Sequence, residues 1–126
     1  MSAMVIDGDT LLMQDGVKVR LIGIDCPELN APDPRRNIFG AQARDYVKRR
    51  LGLDPVTLTY EGASHDKYGR RLAYVWLKDG VMLNRELVEL GYARVFWAAP
   101  FSYKKEFYRL QKKAKKERKG LWDSQN

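Results

Sequence analysis

Apolar and polar positions alternate through the first quarter of the chain. Val5-Ile6 leads into a turn centred on Gly8, and Leu11-Leu12-Met13 and Val17-Lys18-Val19-Arg20-Leu21-Ile22 flank Gln14-Asp15-Gly16. An Asp-Gly pair between two such runs predicts an antiparallel hairpin. In the second run Val17, Val19 and Leu21 face one way and Lys18 and Arg20 the other, until Gly23 interrupts the pattern. Residues 56–60 and 71–77 are rich in β-branched and aromatic side chains and predict two more strands, with a turn at Asp79-Gly80.

The period then lengthens. Phe39, Ala43, Tyr46, Val47, Arg50 and Leu51 recur at helical spacing with Gly52 just past them, which predicts a helix over residues 39–51. The Pro, Asn, Asp and Arg residues of 29–37 predict a loop before it. Leu83, Leu87 and Leu90 predict a short helix ended by Gly91, and Tyr103, Phe107, Leu110 and Ala114 stripe a third over 101–118. Five strands, mostly ahead of three helices, give an α+β class, and a five-stranded OB-type barrel fits the count. At 126 residues the whole chain, 1–126, suits a single domain.

Charge changes this picture more than bulk composition does. Charged residues make up 31% and hydrophobic ones 44%, without a long uncharged apolar run, so a membrane-spanning helix is not expected. The net charge of +7 is lopsided: residues 1–103 carry 14 basic and 13 acidic groups, whereas 104–119 carry nine basic and two acidic. Such a run attracts polyanions, although it also reads as the solvated face of a helix. One cysteine cannot form an internal disulfide, and one histidine with one cysteine cannot build a usual structural zinc site. Met1-Ser2-Ala3-Met4 leaves an unusually short first strand and no visible signal peptide. The expectation leans to a secreted or periplasmic protein whose signal has been removed, and a naturally short cytoplasmic chain also accounts for it.

The candidate chemistry rests on three acids and two arginines: Asp9 in Asp7-Gly8-Asp9-Thr10, Arg20, Asp25 and Glu28 around Asp25-Cys26-Pro27-Glu28, and Arg70 in Asp66-Lys67-Tyr68-Gly69-Arg70. Carboxylates hold hard divalent cations, a further carboxylate can activate a water, and guanidiniums donate paired hydrogen bonds to phosphoryl oxygens. Asp9 and Asp25 are the expected ligands of Ca²⁺, Glu28 the expected general base, and Arg20 and Arg70 the expected clamp on the phosphate. An EF-hand does not explain Asp7 and Asp9, because Leu11, Leu12 and Lys18 stand where its loop needs an oxygen ligand, glycine and glutamate. Arg71, next to Arg70, should point the other way and make an ordinary surface contact.

These segments, in this order and approximate spacing, resemble the catalytic segments of the staphylococcal nuclease family, from about Val5 to Trp122. The pattern Leu83-Asn84-Arg85-Glu86-Leu87-Val88 followed by Gly91-Tyr92-Ala93 belongs to the same resemblance. It implies an OB-fold barrel with helices packed around one side and end. It implies a calcium-dependent nuclease that cleaves DNA and RNA at the bond to the 5′ oxygen, leaving 3′-phosphate ends, through a water activated by Glu28. The backbone carbonyl of Cys26 is a further implied Ca²⁺ ligand; the family often has threonine there, and a main-chain ligand tolerates the change. Lys67 and Tyr68 resemble residues that contact a terminal phosphate, and Trp97 or Tyr103 lies near where aromatic rings flank the base, with core packing as the other reading of those two rings.

Single strands are the expected substrate, because a groove with stacking residues reads splayed bases better than a closed duplex. The protein is expected to work as a monomer. A catalytically silent OB-type module that binds nucleic acid or protein is the alternative. So is a small DNA-binding protein driven by the 104–119 run, which would bind with steep salt dependence and not cut.

Overall fold

The computed structural model describes residues 2–30, 32–62 and 65–123. Met1, the loop residue Ala31 and the tail 124–126, which the sequence reading included, lie outside the described residues. The elements run β1 (Ala3–Asp7), β2 (Thr10–Met13), β3 (Lys18–Leu21), β4 (Ile24–Asp25), α1 (Pro34–Leu51), β5 (Thr57–Thr59), β6 (Arg71–Trp76), α2 (Leu83–Glu89), β7 (Arg94–Val95), α3 (Lys104–Lys116) and a 3₁₀ turn over Gly120–Trp122. The expected α+β class holds.

Five strands form one sheet in the order β1-β2-β3-β6-β5, antiparallel except where β3 runs parallel to β6. This five-stranded, partly open arrangement is of the OB type. The parallel join is pinned by Asn84, fully buried on α2, whose side chain accepts from the Val75 N–H at 2.9 Å and donates to the carbonyls of Ile22 at 2.9 Å and Ala73 at 3.3 Å. Leu11, Val19, Leu21, Ala73 and Val75 from the sheet meet Val47, Leu87, Val88 and Phe107 from the helices in the core. No helix among the described residues is long and apolar enough to cross a membrane.

Two expectations are corrected. The first helix starts at Pro34, not near Phe39: Asp33 caps it, accepting from the Arg35 N–H at 2.9 Å, and proline at the first helical position costs no hydrogen bond. The prolines read as loop markers are in part a helix start. The sheet also has a two-stranded companion, β4 with β7, which pairs Asp25 with Arg94. Two-residue strands have no periodicity to read.

Two glycines set how closely α1 approaches the sheet. A Cβ on Gly8 would stand 2.7 Å from Cys26 Sγ and 2.8 Å from Ala43 Cβ. One on Gly40 would stand 2.8 Å from the Pro27 carbonyl oxygen. The helix therefore presses directly on the β1–β2 turn and on the segment after β4, the two places where the candidate acids sit.

Candidate active site

The site begins at an irregularity in β1. The register with β2 shifts between Val5 and Asp7, and such a bulge bends the strand and re-aims its side chains at the following turn. Asp9, 7% exposed, is held there from three sides. Its Oδ2 accepts from the Cys26 N–H at 2.9 Å, its Oδ1 from the Thr10 hydroxyl at 3.1 Å, and its own N–H donates to Asp7 Oδ1 at 3.2 Å.

Arg20 on β3 joins the two acids. Its Nη2 lies 3.6 Å from Asp9 Oδ2 and 3.7 Å from Asp25 Oδ1, while its Nη1 donates to the Leu21 carbonyl at 3.0 Å. Phe96 flanks the guanidinium, its ring centroid 6.0 Å away. On the far side of Asp25, Arg94 Nε is 3.7 Å from Oδ2. The alternation in β3 that sends Arg20 away from Val19 and Leu21 therefore delivers it to a half-buried ion-pair cluster, not to open solvent.

Burial and the closeness of one acid to another disfavour ionisation in this corner. Burial, then the hydrogen bond and charge of Asp9, push the Asp7 carboxyl up to about 6. Burial and the charge of Asp9 raise Asp25 above its ordinary value, against the opposing pull of Arg20, Arg94 and Arg36. Crowded acids that resist ionisation are where a cation is stabilising. The donors are hard oxygens, and the Cys26 thiol is turned into the core against Gly8, with burial holding it protonated. Hard oxygens with the sulfur turned inward suit Ca²⁺ or Mg²⁺ rather than a thiolate-seeking metal.

The remaining sites stand further out. Glu28 follows Pro27 at the surface, its side chain exposed while its backbone is packed under Gly40. Arg70 immediately precedes β6, whose Arg71 is in register with Val19, so it stands at the start of the strand next to the one that carries Arg20. Arg70 Nε donates to Asp66 Oδ2 at 2.7 Å and its backbone N–H to Asp66 Oδ1 at 2.9 Å. Tyr68 lies under both Arg70 and Lys67, with ring centroids 5.3 and 5.1 Å from their charged groups. Arg71 makes the surface contact expected of it, 3.6 Å from Asp15.

The two other aromatic candidates part company. Trp97 is 75% exposed on a loop that Lys104 holds by donating to the Trp97 carbonyl at 2.8 Å and the Ala99 carbonyl at 3.0 Å. Tyr103 packs on the core: its ring meets Tyr74 edge-on at 5.1 Å, stacks on Phe107 at 6.1 Å and is covered by Arg85.

Sequence reasoning missed Asp7 as a member of the acidic corner, Asp66 as the partner of Arg70, and Arg94. The i, i+4 spacing of Asp66 and Arg70 could have revealed that pair. Nothing local could have revealed Arg94, which reaches Asp25 across 69 positions.

Comparisons with known proteins bear on the same residues. Positions 18–124, which include Arg20, Asp25, Glu28 and Arg70, match the family model described as staphylococcal nuclease homologue. The chain is 39% identical over 124 residues to a thermonuclease of Staphylococcus hyicus and 40% identical over 123 residues to one of Staphylococcus intermedius. These alignments span 95% and 94% of this chain and 73% of each relative. It is 33% identical over 132 residues to the endonuclease YhcR of Bacillus subtilis, of which it matches 11%.

Proposed function

The chain belongs to the staphylococcal nuclease family, and from that premise we propose that it is a nuclease, a phosphodiester hydrolase acting on DNA and RNA with little sequence preference. The observation that carries this reading is the convergence of Asp9 and Asp25 on one nitrogen of Arg20, at 3.6 and 3.7 Å. That corner offers two hard carboxylates for a cation beside a guanidinium for a phosphate.

The fit to Ca²⁺ is good in kind: Asp9 and Asp25 would hold the ion, with the Cys26 carbonyl as a further oxygen, and Ca²⁺ accepts such mixed sets with waters. When bound, the ion supplies positive charge that neutralises the phosphodiester. The other steps belong to side chains. Arg20 and Arg70 donate to the non-bridging phosphoryl oxygens and stabilise the charge that gathers there as water attacks phosphorus. Glu28, at the surface and unburdened by an ion pair among the described residues, takes the proton of the attacking water. The bond from phosphorus to the 5′ oxygen breaks, the departing oxygen takes a proton from solvent water, and a 3′-phosphate end remains.

Lys67 and Tyr68 stand beside Arg70 to receive a neighbouring phosphate, and the exposed Trp97 ring offers a base a stacking face worth about 1 to 3 kcal/mol. Tyr103, covered by Tyr74, Phe107 and Arg85, packs on the core instead. A site with an open aromatic face favours single-stranded substrate, and one chain carries all of these groups, so a monomer suffices.

The test is cleavage of denatured DNA with Ca²⁺, with Mg²⁺ and with a chelator, beside a Glu28→Gln variant. Calcium-dependent cutting that falls by roughly 10² to 10⁴ in the variant supports the reading. An intact protein that binds the DNA but does not cut it overturns the reading in favour of a silent binding module.

A further inference from the structure

A cleft opens beside the acidic corner, and the proposed function leaves it unused. It has a volume of about 250 Å³ and is walled by Arg35, Arg36 and Phe39 from the start of α1, Arg94 of β7 and Trp122 of the C-terminal turn. Pro27, between Asp25 and Glu28, lines it as well. Its charged lining is three guanidiniums against the one carboxylate of Asp33, which is engaged as the cap of α1. The peptide dipoles at the first turn of an 18-residue helix add to the positive field.

The Trp122 wall is firmly placed. Gly91 and Gly120 meet so closely that a Cβ on Gly91 would stand 2.2 Å from the Lys119 carbonyl oxygen, and the Leu121 N–H donates to the Gly91 carbonyl at 2.9 Å. The indole N–H of Trp122 is buried and has no acceptor among the described residues. Lys115 Nζ lies 4.7 Å from the centre of its ring, bringing the charge of α3 to the same place.

We propose that this cleft is a second phosphate subsite, which takes a backbone phosphate of the bound strand beside, not at, the bond to be cut. The proposal rests on the nuclease reading and extends it to the path of the substrate. Arg94 links the two sites, since it lines the cleft and places its Nε 3.7 Å from Asp25 Oδ2. The volume lies below the roughly 300 to 1,000 Å³ of clefts that enclose a drug-sized ligand, and it suits one phosphate with its sugar. Phe39 and Trp122 give that sugar apolar walls, while the guanidiniums can take the phosphate oxygens in pairs.

Arg36→Gln and Arg36→Lys variants test this, with a single-stranded octanucleotide and a dinucleotide as probes. Arg36 is exposed on α1, so the fold should survive its replacement. In Arg36→Gln the ratio of kcat/KM on the octanucleotide to that on the dinucleotide should fall about tenfold, the loss expected for one charge-assisted phosphate contact. Binding of the octanucleotide in chelator should lose about 0.7 from the slope of log K against log salt, the share of one phosphate on a single strand. Arg36→Lys should restore the slope and only part of the affinity, because a point charge replaces a fork.

An unchanged slope, or equal losses on both substrates, overturns the proposal. Inorganic phosphate that binds the intact protein as tightly as the octanucleotide, and is lost in Arg36→Gln, overturns the backbone assignment in favour of a free-phosphate site. If the intact protein cuts neither probe, the nuclease reading fails, and the salt slope still decides the cleft.

Discussion

Arg20, on β3, and Arg70, just ahead of the neighbouring strand β6, are held by opposite means. Arg20 is 14% exposed, placed between Asp9 and Asp25 in a corner that α1 packs against, whereas Arg70 is 30% exposed and held by its loop neighbour Asp66. The buried half is positioned by the packing that also holds the protein together. The outer half is positioned by local hydrogen bonds whose loss costs the fold little. Damage to the first should therefore appear in stability and activity together, and damage to the second mainly in activity.

The largest effect comes from removing the arginines themselves. Arg20→Ala and Arg70→Ala should each lower kcat by about 10² to 10³, as loss of a preorganised donor does. Only Arg20→Ala should also cost roughly 2 to 3 kcal/mol in urea unfolding, because it leaves two crowded carboxylates facing each other. Equal stability losses in the two variants would break the comparison.

Next comes a pair of glycines. Gly8→Ala forces a methyl group against Cys26 and Ala43 and should cost about 1 to 3 kcal/mol, the usual penalty for overpacking. Gly69 has a φ of +78° and nothing within 4 Å of its would-be Cβ, so Gly69→Ala should cost only the backbone strain of about 1 kcal/mol. Thermal unfolding of both variants would measure the difference, and the reverse order would contradict the packing described for α1.

The smallest and most selective change is Asp66→Asn. It should lower kcat/KM about tenfold by loosening Arg70, with KM rising more than kcat falls. Burial opposes ionisation of Asp66, but the N–H groups of Arg70 and Tyr68 and the Arg70 guanidinium outweigh it and hold its carboxyl below the ordinary 3.8. A lowered folded pKa means the stabilisation is complete above 3.8 and is lost as pH falls through the lower folded value. The stability gap between the intact protein and the variant should thus be constant at neutral pH and close in strong acid. A gap that widens with acidification would show that Asp66 does not anchor Arg70.

The sheet was legible in the sequence because its signals are local. The Asp15-Gly16 turn announces the β2–β3 hairpin, and the alternation through Arg20 tells which residues turn from the core. Of the five charged positions, Asp9, Arg20 and Asp25 stand together in the fold, and residue type and spacing had already marked them out. The start of α1 was not, since Pro34 reads as a breaker until Asp33 is seen capping it. The pairing of Asp25 with Arg94, and hence the cleft beside it, depends on tertiary contact between two-residue strands. Tyr103 shows the same limit from the other side, because its helical spacing fits both a substrate platform and a core residue, and only the rings around it distinguish the two.

The chain has one thiol, and it lies at the seam where α1 meets the Asp9 turn, 4% exposed and facing the bare backbone of Gly8. A thiol-reactive dye cannot reach Cys26 until that seam parts, so its rate of labelling counts the openings of the seam. The molecule thus carries its own stopwatch for the corner that holds Asp9. Set beside global unfolding, that clock tells whether the corner breathes alone or only when the whole protein comes apart.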